Sequence, residues 1–566
     1  MVLLEDEDYH ALKAGADKSE HLEKEKLALQ ILAREKTVQA EAAEAEAKHA
    51  KAEIDRLKLV AQKLEHDNKI LMEHYALSRH RQFGASSERT PVGQEQMLFD
   101  EAEACSAPDA QEPEIAVGAH TRTKKPRGKR EVDLSKLPVK EIRYDAPEDV
   151  NLCPACSAQM HCIGEEVRSE IEFVPGHFVH VKHIRGVFGC RPCDRNEIST
   201  PIITTPMPKP AFPKSLASSS LVSYIMVRKY VEGLPLYRQE QVFTRAGIML
   251  SRQNLANWVI AGAVWLEYIF KALHAELLQQ DIAHADETEL QVLREAGRAA
   301  QTKSRMWVYT SGRYSYPIRL YEYQSTRGAE HPCNFLTGFA GYLHVDGYGV
   351  YKLLPDTITL AGCWAHARRH FTDVISVLPK EAQKSCKTPA HIGRNFCNDL
   401  FDIERALRDK TPEERYVARQ EHSRKVLDKY WEWLNVMVLN VTPSSKLGEA
   451  IRYSINQWEA LTCFMKDGRL EIDNNRAERT VKPFVIGRKN WLFACSPEGA
   501  KSSAIVYSIV ETAKENGLDP SAYLTLLFEQ MPNIDLKDDE AIRRLLPWAE
   551  SIQSRCLAGG AATKTT

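Results

Sequence analysis

Three acidic residues, each attached to a predicted strand or helix, constrain the fold of this chain more than any other feature. Asp286 follows a strand-like run, and two further strand-like runs and a short helical stretch come after it. Asp346 ends the apolar strand that begins at Gly341, and one more strand follows. Glu478 comes much later, in a predicted helix. The pattern therefore predicts a sheet in which acids from two strands and one helix meet.

This order of elements is typical of an RNase H-like fold, where the two strand aspartates are neighbours and the helical glutamate packs across from them. Three converging carboxylates can hold two divalent ions about 4 Å apart, which activate an attacking hydroxyl and stabilise the leaving oxygen in phosphoryl transfer. Hard oxygen ligands suit Mg²⁺, with Mn²⁺ as a substitute. We therefore expect Asp286, Asp346 and Glu478 to be catalytic and to bind the two ions.

Each acid also has an ordinary local explanation. The competing interpretations are a helix cap, a hairpin turn and an exposed i,i+4 pair, formed respectively by Asp286 with Glu289, Asp346 with Gly347, and Glu478 with Lys482. Three neighbouring acids are alternative candidates for the site: Glu287, Glu471 and Asp473.

About 130 residues separate Asp346 from Glu478, more than the core fold needs. Apolar residues at helical spacing over 375–460, together with many charges, predict a helical insertion within the catalytic domain. Cys363 and His366 just before it are too few to predict a metal site.

Basic residues lie on both sides of this insertion. The segment Gly487-Arg-Lys predicts a basic loop, and Trp491 after it is better interpreted as a core aromatic than as a platform for an unpaired base. No P-loop occurs, so ATP is not implied. We expect five of the basic residues to contact DNA phosphates: Arg368, Arg369, Arg479, Arg488 and Lys489.

Four cysteines form two Cys-x-x-Cys pairs: Cys153, Cys156, Cys190 and Cys193. Four thiolates close a tetrahedral shell with no open position, which predicts structural zinc. The gap between the pairs is longer than in a common zinc ribbon and contains strand-like runs at 170–174 and 178–182, so we expect a hairpin within it. The odd total of 13 cysteines argues against a disulfide framework.

Residues 20–77 contain no proline and predict a long helix. Leu57, Leu64 and Leu71 recur every seven residues, and Asn68 occupies an a position of the same heptads. Leucine at d with one asparagine at a is typical of a parallel dimeric zipper, so we expect a homodimer or higher oligomer. A lone solvated helix is the alternative, because Ala, Glu and Lys favour helix without a partner.

A linker without hydrophobic periodicity, 91–119, precedes a short basic segment. Six of the nine residues from Arg122 to Arg130 are basic, which is typical of an arm that enters a minor groove. A solvated charge run is the alternative. The net charge of −2 confines any DNA contact to local patches. In this patch we expect contacts from Lys124, Lys125, Arg127, Lys129 and Arg130.

A helix through 241–246, a turn at Gly247 and a second helix capped by Ser251 resemble a helix-turn-helix. Its second helix would bring Arg252, Gln253 and Asn257 to base edges. A plain helical hairpin is the alternative.

Several motifs together resemble the DDE-type transposases of the insertion-sequence sixty-six family of bacterial mobile elements. They cover nearly the whole chain and include Arg81-Gln-Phe-Gly-Ala-Ser-Ser-Glu88, the double Cys-x-x-Cys, Lys229-Tyr-Val-Glu-Gly-Leu-Pro-Leu-Tyr-Arg238, Val345-Asp-Gly-Tyr348, Cys363-Trp-Ala-His-Ala-Arg-Arg369, Asp473-Asn-Asn-Arg-Ala-Glu-Arg-Thr480 and Gly487-Arg-Lys-Asn-Trp-Leu-Phe493. The resemblance implies that Asp286, Asp346 and Glu478 are the catalytic acids. It also implies terminal inverted repeats as the DNA substrate and two small accessory proteins encoded beside the transposase.

We therefore expect a multidomain α+β transposase that binds element ends, cleaves DNA by metal-dependent hydrolysis and joins the 3′-hydroxyl ends to double-stranded target DNA. A catalytically inactive zinc-finger DNA-binding regulator and an RNase H-like nuclease are the alternatives. The sequence has no apolar run of membrane-spanning length, and its N-terminus turns acidic at once. We expect it in the bacterial cytoplasm, associated with the nucleoid.

The expected domains follow the chain in order. They are a coiled coil (1–90), a basic-ended linker (91–135), a zinc-ribbon-like finger (136–205), a helical DNA-binding region (206–275), an RNase H-like catalytic domain with its insertion (276–515) and a C-terminal helical region (516–566).

Overall fold

The computed structural model describes residues 6–83, 176, 178–183, 187–189, 202–204 and 207–558. By contacts between residues, the chain divides into two compact units: 1–87 with 370–392 and 436–452, and 88–369 with 393–435 and 453–566. The four finger cysteines and the basic segment 122–130 lie outside the described residues.

The N-terminal helix α1 runs from Asp6 to Phe83, a length of 78 residues. This confirms the long helix that the proline-free sequence predicts. The d-position residues Leu57, Leu64 and Leu71 are 58%, 63% and 66% exposed. The heptad seam is therefore open to solvent along this part of the helix.

Two short strands lie near the second cysteine pair. Strands β1 (Val187–Gly189) and β2 (Ile202–Thr204), which flank that pair in the sequence, pair antiparallel. The strand predicted at 178–182 is wrong, because residues 178–183 form no regular element. Instead, the Phe178 ring packs against the rings of Tyr224 and Phe243, with centroids 5.7 and 5.1 Å away.

Three helices precede the sheet: α2 (Ser219–Tyr230), α3 (Leu236–Arg245) and α4 (Arg252–Leu278). Gly247 follows α3 with φ +79°, a left-handed conformation that suits glycine. The Ser251 side chain accepts a hydrogen bond from the Asn254 backbone N–H and caps α4. The predicted helix, turn and N-cap are thus present.

The central sheet has five strands: β3 (Ile282–Gln291), β4 (Lys303–Ser311), β5 (Arg319–Gln324), β6 (Gly341–Val345) and β7 (Ile358–Gly362). Their spatial order is β5-β4-β3-β6-β7. Strands β3, β4 and β5 form an antiparallel meander, while β6 pairs parallel with both β3 and β7. Strand β3, which carries Asp286, therefore lies at the centre of the sheet, beside the strand that leads into Asp346.

The remaining helices are α5 (Glu330–Phe335), α6 (Trp364–Val377), α7 (Lys380–Ser385), α8 (Pro389–Ala406), α9 (Pro412–Ala418), α10 (Arg424–Asn440), α11 (Lys446–Asn456), α12 (Trp458–Thr462), α13 (Asn475–Trp491), α14 (Pro497–Glu515), α15 (Pro520–Gln530), α16 (Asp539–Arg543) and α17 (Glu550–Cys556). A π-helical turn, Arg419–Ser423, joins α9 to α10, and short 3₁₀ turns lie at Gly349–Leu353, Cys463–Met465 and Met531–Asn533. The segment 375–460 is mostly helical, as its periodicity predicts. That it is an insertion within a catalytic domain stays a prediction.

Helices α13 and α14 pack on the sheet. Helix α13 contacts β3 and β4, and α14 contacts β5 and α4. Residues 502–513 of α14 are all buried, so this helix forms the centre of the hydrophobic core. In the described part of the chain, no helix is both long and apolar enough to cross a membrane.

A fully buried arginine joins the segment before α13 to the inserted helices. The Arg419 guanidinium donates two hydrogen bonds to the carboxylate of Glu404, at 2.7 and 2.8 Å. Its remaining N–H groups donate to the backbone carbonyls of Phe464, Asp467 and Leu470, at 2.7, 2.9 and 2.8 Å. All five donors of the guanidinium are therefore used.

Candidate active site

Neighbouring strands place the two aspartates. In the parallel pairing of β3 with β6, His284 lies opposite His344, and each aspartate comes two residues after its histidine. The Asp286 carboxylate accepts the Glu287 backbone N–H at 2.8 Å, and the Asp346 carboxylate accepts the Tyr348 N–H at 2.9 Å. Both acids therefore lie just beyond the residues through which β3 and β6 pair with each other.

The chain turns sharply after Asp346, at Gly347. A Cβ atom on Gly347 would lie 2.4 Å from the Tyr453 ring, so a larger residue does not fit without displacing that ring. The turn leads into the 3₁₀ turn Gly349–Leu353 and then to parallel strand β7, so the hairpin interpretation of Asp346-Gly347 is wrong. The helix-cap interpretation of Asp286 with Glu289 is also wrong, because both residues lie in β3.

Glu478 lies in the first turn of α13. Its Oε1 is 3.8 Å from His366 Nδ1, and its Oε2 is 3.9 Å from Arg369 Nη2. Oε1 is buried, and no described residue donates a hydrogen bond to it. A buried carboxylate oxygen without a hydrogen-bond donor requires an explanation, and a bound ion or water is one that fits an acidic site.

Negative charge accumulates around Asp286. Burial, followed by the charges of Glu287, Asp346 and Glu478, raises the pKa of Asp286 to about 8. The three predicted acids thus lie close enough for their charges to interact. Carboxylate oxygens are the donors that a hard divalent cation prefers, and a cation would offset the repulsion that raises the pKa of Asp286.

Among the described residues, one group of three side chains has its potential metal-ligand atoms close together. Cys363, His366 and Glu478 each offer one atom, and these three atoms lie within 4.8 Å of one another. The acids Asp286, Asp346 and Glu478 do not form such a group in this part of the chain.

Glu287 has partners of its own. Its carboxylate accepts hydrogen bonds from Arg327 and, at 3.2 Å, from the Tyr351 hydroxyl, and its side chain is only 3% exposed. The Arg327 guanidinium also lies 3.5 Å from the centroid of the Tyr348 ring. The Glu287 carboxylate therefore already has two hydrogen-bonding partners within the protein.

Glu471 and Asp473 precede α13. Burial opposes ionisation of Glu471, but His284, 3.0 Å away, and Arg476 outweigh it and hold the pKa of this carboxyl well below its usual range. Burial raises the pKa of Asp473 to about 6, and its carboxylate accepts the Asn475 backbone N–H at 3.1 Å. Both acids support the start of α13.

A buried histidine pair beneath the aspartates was not anticipated from the sequence. The rings of His284 and His344 stack with centroids 4.3 Å apart. His284 Nδ1 is 3.1 Å from Asn474 Oδ1, and the Asn474 amide donates to the Ala285 carbonyl at 2.8 Å. Burial holds the pKa of His344 well below its usual value. This cluster ties the strand of Asp286 to the residue that precedes α13.

A sequence signal for this cluster exists. Both acidic strands contain His-x-Asp, at 284–286 and 344–346. Because alternate residues of a strand share a face, each histidine is expected on the same face as its aspartate, two residues earlier in the chain.

The predicted basic loop at Gly487 is wrong. Residues 487–489 lie inside α13, which continues to Trp491. A Cβ on Gly487 would lie 2.1 Å from the Tyr507 hydroxyl, so this glycine permits close packing of α13 on α14. Trp491 packs against the hydrophobic core, with its ring 5.5 Å from that of Phe484, in line with the core interpretation.

The predicted phosphate contacts differ in setting. Arg479 and Lys489 are exposed on α13, whereas Arg488 is partly buried with its guanidinium 3.5 Å from Thr288 Oγ1. Arg368 lies 5.1 Å from the Phe401 ring centroid. Arg369 lies beside one of the predicted catalytic acids, with its Nη2 atom 3.9 Å from Oε2 of Glu478.

The three polar residues predicted to read bases lie at the start of α4 and are exposed: Arg252, Gln253 and Asn257. The Gln253 amide donates to the Asn257 side-chain carbonyl at 2.9 Å. Arg252 is 3.3 Å from Glu240 on α3. These groups form one polar surface across the turn.

Comparison with known proteins gives matches along most of the chain. The profile described as Transposase IS66 family matches residues 214–502, and the IS66 C-terminal element matches 508–548. The zinc-finger binding domain of transposase IS66 matches 151–194, and the profile described as Transposase C of IS166 homeodomain matches 70–142.

Two curated relatives come from Sinorhizobium fredii. The uncharacterized protein y4qI is 31% identical over 523 residues, covering 88% of this chain and 92% of the relative. The uncharacterized protein y4jD is 31% identical over 429 residues, covering 73% and 81%. With the finger profile over all four paired cysteines and the main family profile over more than half of the chain, the protein belongs to the IS66 family of transposases.

Proposed function

We propose that the chain is a DNA transposase with an RNase H-like catalytic domain, in which Asp286, Asp346 and Glu478 bind two divalent ions, Mg²⁺ or Mn²⁺. The observation that carries the proposal is the strand order β5-β4-β3-β6-β7, because β3, which contains Asp286, pairs with β6, the strand that ends one residue before Asp346. Helix α13, which carries Glu478, packs against β3, and this packing supports Glu478 as the third acid.

Divalent ions held by these acids would activate the attacking hydroxyl and stabilise the leaving 3′ oxygen. In this proposal β3 and β6 would hold Asp286 and Asp346, and α13 would supply Glu478. Arg369, beside Glu478, would neutralise a phosphate of the bound DNA. Water first cleaves the phosphodiester at the element end, and the freed 3′-hydroxyl then attacks target DNA, so no covalent enzyme intermediate is needed.

We assign DNA binding to three regions. The finger, with structural zinc on its four cysteines, and the exposed start of α4 would bind the terminal inverted repeats, assisted by the basic segment 122–130. Exposed Arg479 and Lys489 on α13 would contact phosphates near the acids.

A second copy of the chain is the partner we assign to α1. Leu57, Leu64 and Leu71 expose most of their surface in the single chain, and pairing in heptad register would bury all three. Accessory proteins encoded beside the transposase are the further partners that family membership suggests.

The test is a strand-transfer assay with labelled end DNA, a target plasmid and Mg²⁺ or Mn²⁺. Asp346→Ala is expected to abolish joined products while end binding and finger zinc remain. Asp356→Ala, an exposed aspartate before β7, is the matched control and should transfer strands normally. Undiminished transfer by Asp346→Ala would refute the assignment of the acids.

The same assay separates the alternatives. A DNA-binding regulator gives bound ends without cleavage, and a nuclease or resolvase gives cleaved DNA without joining. Joined products are specific to a transposase.

A further inference from the structure

A second group of metal-type donors lies at the edge of the acidic site. Cys363 immediately precedes α6, His366 lies in its first turn, and Glu478 lies in the first turn of α13. Their donor atoms are within 4.8 Å of one another, and His366 Nδ1 is 3.8 Å from Glu478 Oε1.

The distance between the nitrogen and the oxygen is close to that in a zinc site. With ligand bonds of about 2.0–2.1 Å, nitrogen and oxygen at a tetrahedral angle lie about 3.3 Å apart, only about half an ångström closer than these two atoms. Cys363 and His366 are separated by two residues, the same separation as in the Cys-x-x-Cys pairs that ligate zinc. A sulfur, a nitrogen and an oxygen donor favour zinc over magnesium, because magnesium prefers oxygen alone.

Cys363 is fully buried, and its sulfur accepts the Asn474 backbone N–H at 3.2 Å. Burial raises the pKa of this thiol to about 12, so an incoming ion has to displace its proton. The competing interpretation is that Cys363 only joins the starts of α6 and α13 through backbone hydrogen bonds. Zinc binding distinguishes the two.

We propose that Cys363, His366 and Glu478 form a second zinc site, separate from the finger, and that zinc bound there inhibits strand transfer by withdrawing Glu478 from Asp286 and Asp346. The fourth position is left for water. The inhibitory half of this inference rests on the proposed function, whereas the site itself does not.

Zinc content of the full-length protein tests the site. After equilibrium dialysis against zinc with excess Mg²⁺, the wild type should hold two zinc ions per chain and Cys363→Ser one. Loss of a direct ligand should weaken the site at least about 100-fold, since changes to outer partners alone cost 10- to 100-fold. Cys397→Ser is the matched control and should keep two, because Cys397 is equally buried with its pKa likewise raised to about 12. His366→Ala gives a second variant should the serine variant fold poorly.

One zinc per wild-type chain at saturation, or two in both Cys363→Ser and His366→Ala, would overturn the site. Replacement of the second ion by Co²⁺ should add a thiolate-to-cobalt charge-transfer band in the wild type and Cys397→Ser that is missing in Cys363→Ser.

Strand transfer in Mg²⁺ with added zinc tests the inhibition. Zinc should reduce joined products for the wild type and for Cys397→Ser, while Cys363→Ser should need at least about 100-fold more zinc for the same loss. Equal inhibition of all three proteins would overturn the inhibitory role. Absence of strand transfer without zinc would instead count against the proposed function, and the zinc counts would still decide the site.

Discussion

Replacement of Glu404 by glutamine should show how strongly the inserted helices hold the segment that leads to Glu478. Glu404 is 8% exposed and faces two buried guanidinium groups, Arg419 at 2.7 Å and Arg415 at 3.1 Å. A glutamine keeps the shape but leaves both cations without a counter-charge. Breaking a buried ion pair from one side costs about 3–5 kcal/mol of unfolding free energy.

The assay is urea unfolding followed by tryptophan fluorescence, together with strand transfer. For an m-value of about 2–3 kcal/mol/M, the loss corresponds to a midpoint lower by about 1–2.5 M. Asp402→Asn is the matched control on the same helix, because its pair with Arg405 is 64% and 60% exposed and should contribute about 0.5 kcal/mol or less. Equal midpoints for the two variants would refute the reasoning.

Three further outcomes follow from other parts of the chain. Leu64→Asp in α1 should convert a dimer to a monomer in analytical ultracentrifugation, because it places a charge in the heptad seam; a dimer that persists at the same concentration would contradict the zipper. His284→Leu should raise the Mg²⁺ concentration needed for half-maximal strand transfer by about 10- to 100-fold, since it frees Asn474 and Glu471 from β3; an unchanged metal requirement would show that the cluster only stabilises the fold. Glu322→Gln should alter the pH dependence of stability, because burial raises the pKa of Glu322 from 4.5 to about 7. The unfolded chain releases this proton at lower pH than the folded one, so wild-type stability falls as pH rises from 4.5 to 7, and the variant should be more stable above pH 7 by up to about 3 kcal/mol. The measurement is the free energy of unfolding at a series of pH values. A difference between wild type and variant that does not change with pH would contradict the prediction.

The strands of the sheet could be predicted because their signals are local. Runs rich in apolar, aromatic and β-branched residues mark β4 and β5, and an acid at the end of an apolar run marks β6. Ser251 as an N-cap is also a local feature, readable from its own helix start. These elements needed no knowledge of distant neighbours.

The wrong predictions, the loop at Gly487 and the strand at 178–182, have a different physical origin. The Gly487-Arg-Lys segment suggests a loop by composition, yet the glycine serves close packing against Tyr507 of another helix. Phe178 lies in strand-like sequence, but its ring packs on aromatic residues of α2 and α3. In both cases contacts with residues far along the chain outweigh local preference.

The partners of Glu478 were missed for the same reason. Cys363 and His366 look like two isolated residues in the sequence, and the structure adds Glu478 from 112 positions beyond His366. Spacing along the chain gives no sign of such a group.

The link between His284 and Asn474, 190 residues apart in sequence, also has a consequence for synthesis. A ribosome has completed β3, β6 and β7 long before α13 emerges, and the buried helix α14 comes later still. The sheet must therefore wait, with one face incomplete, until residues up to 515 are made. Such non-local pairing folds slowly and leaves apolar surface exposed in the interval. Any product that terminates before α14 should consequently lack the centre of its hydrophobic core, so we expect partial translation to yield no folded protein.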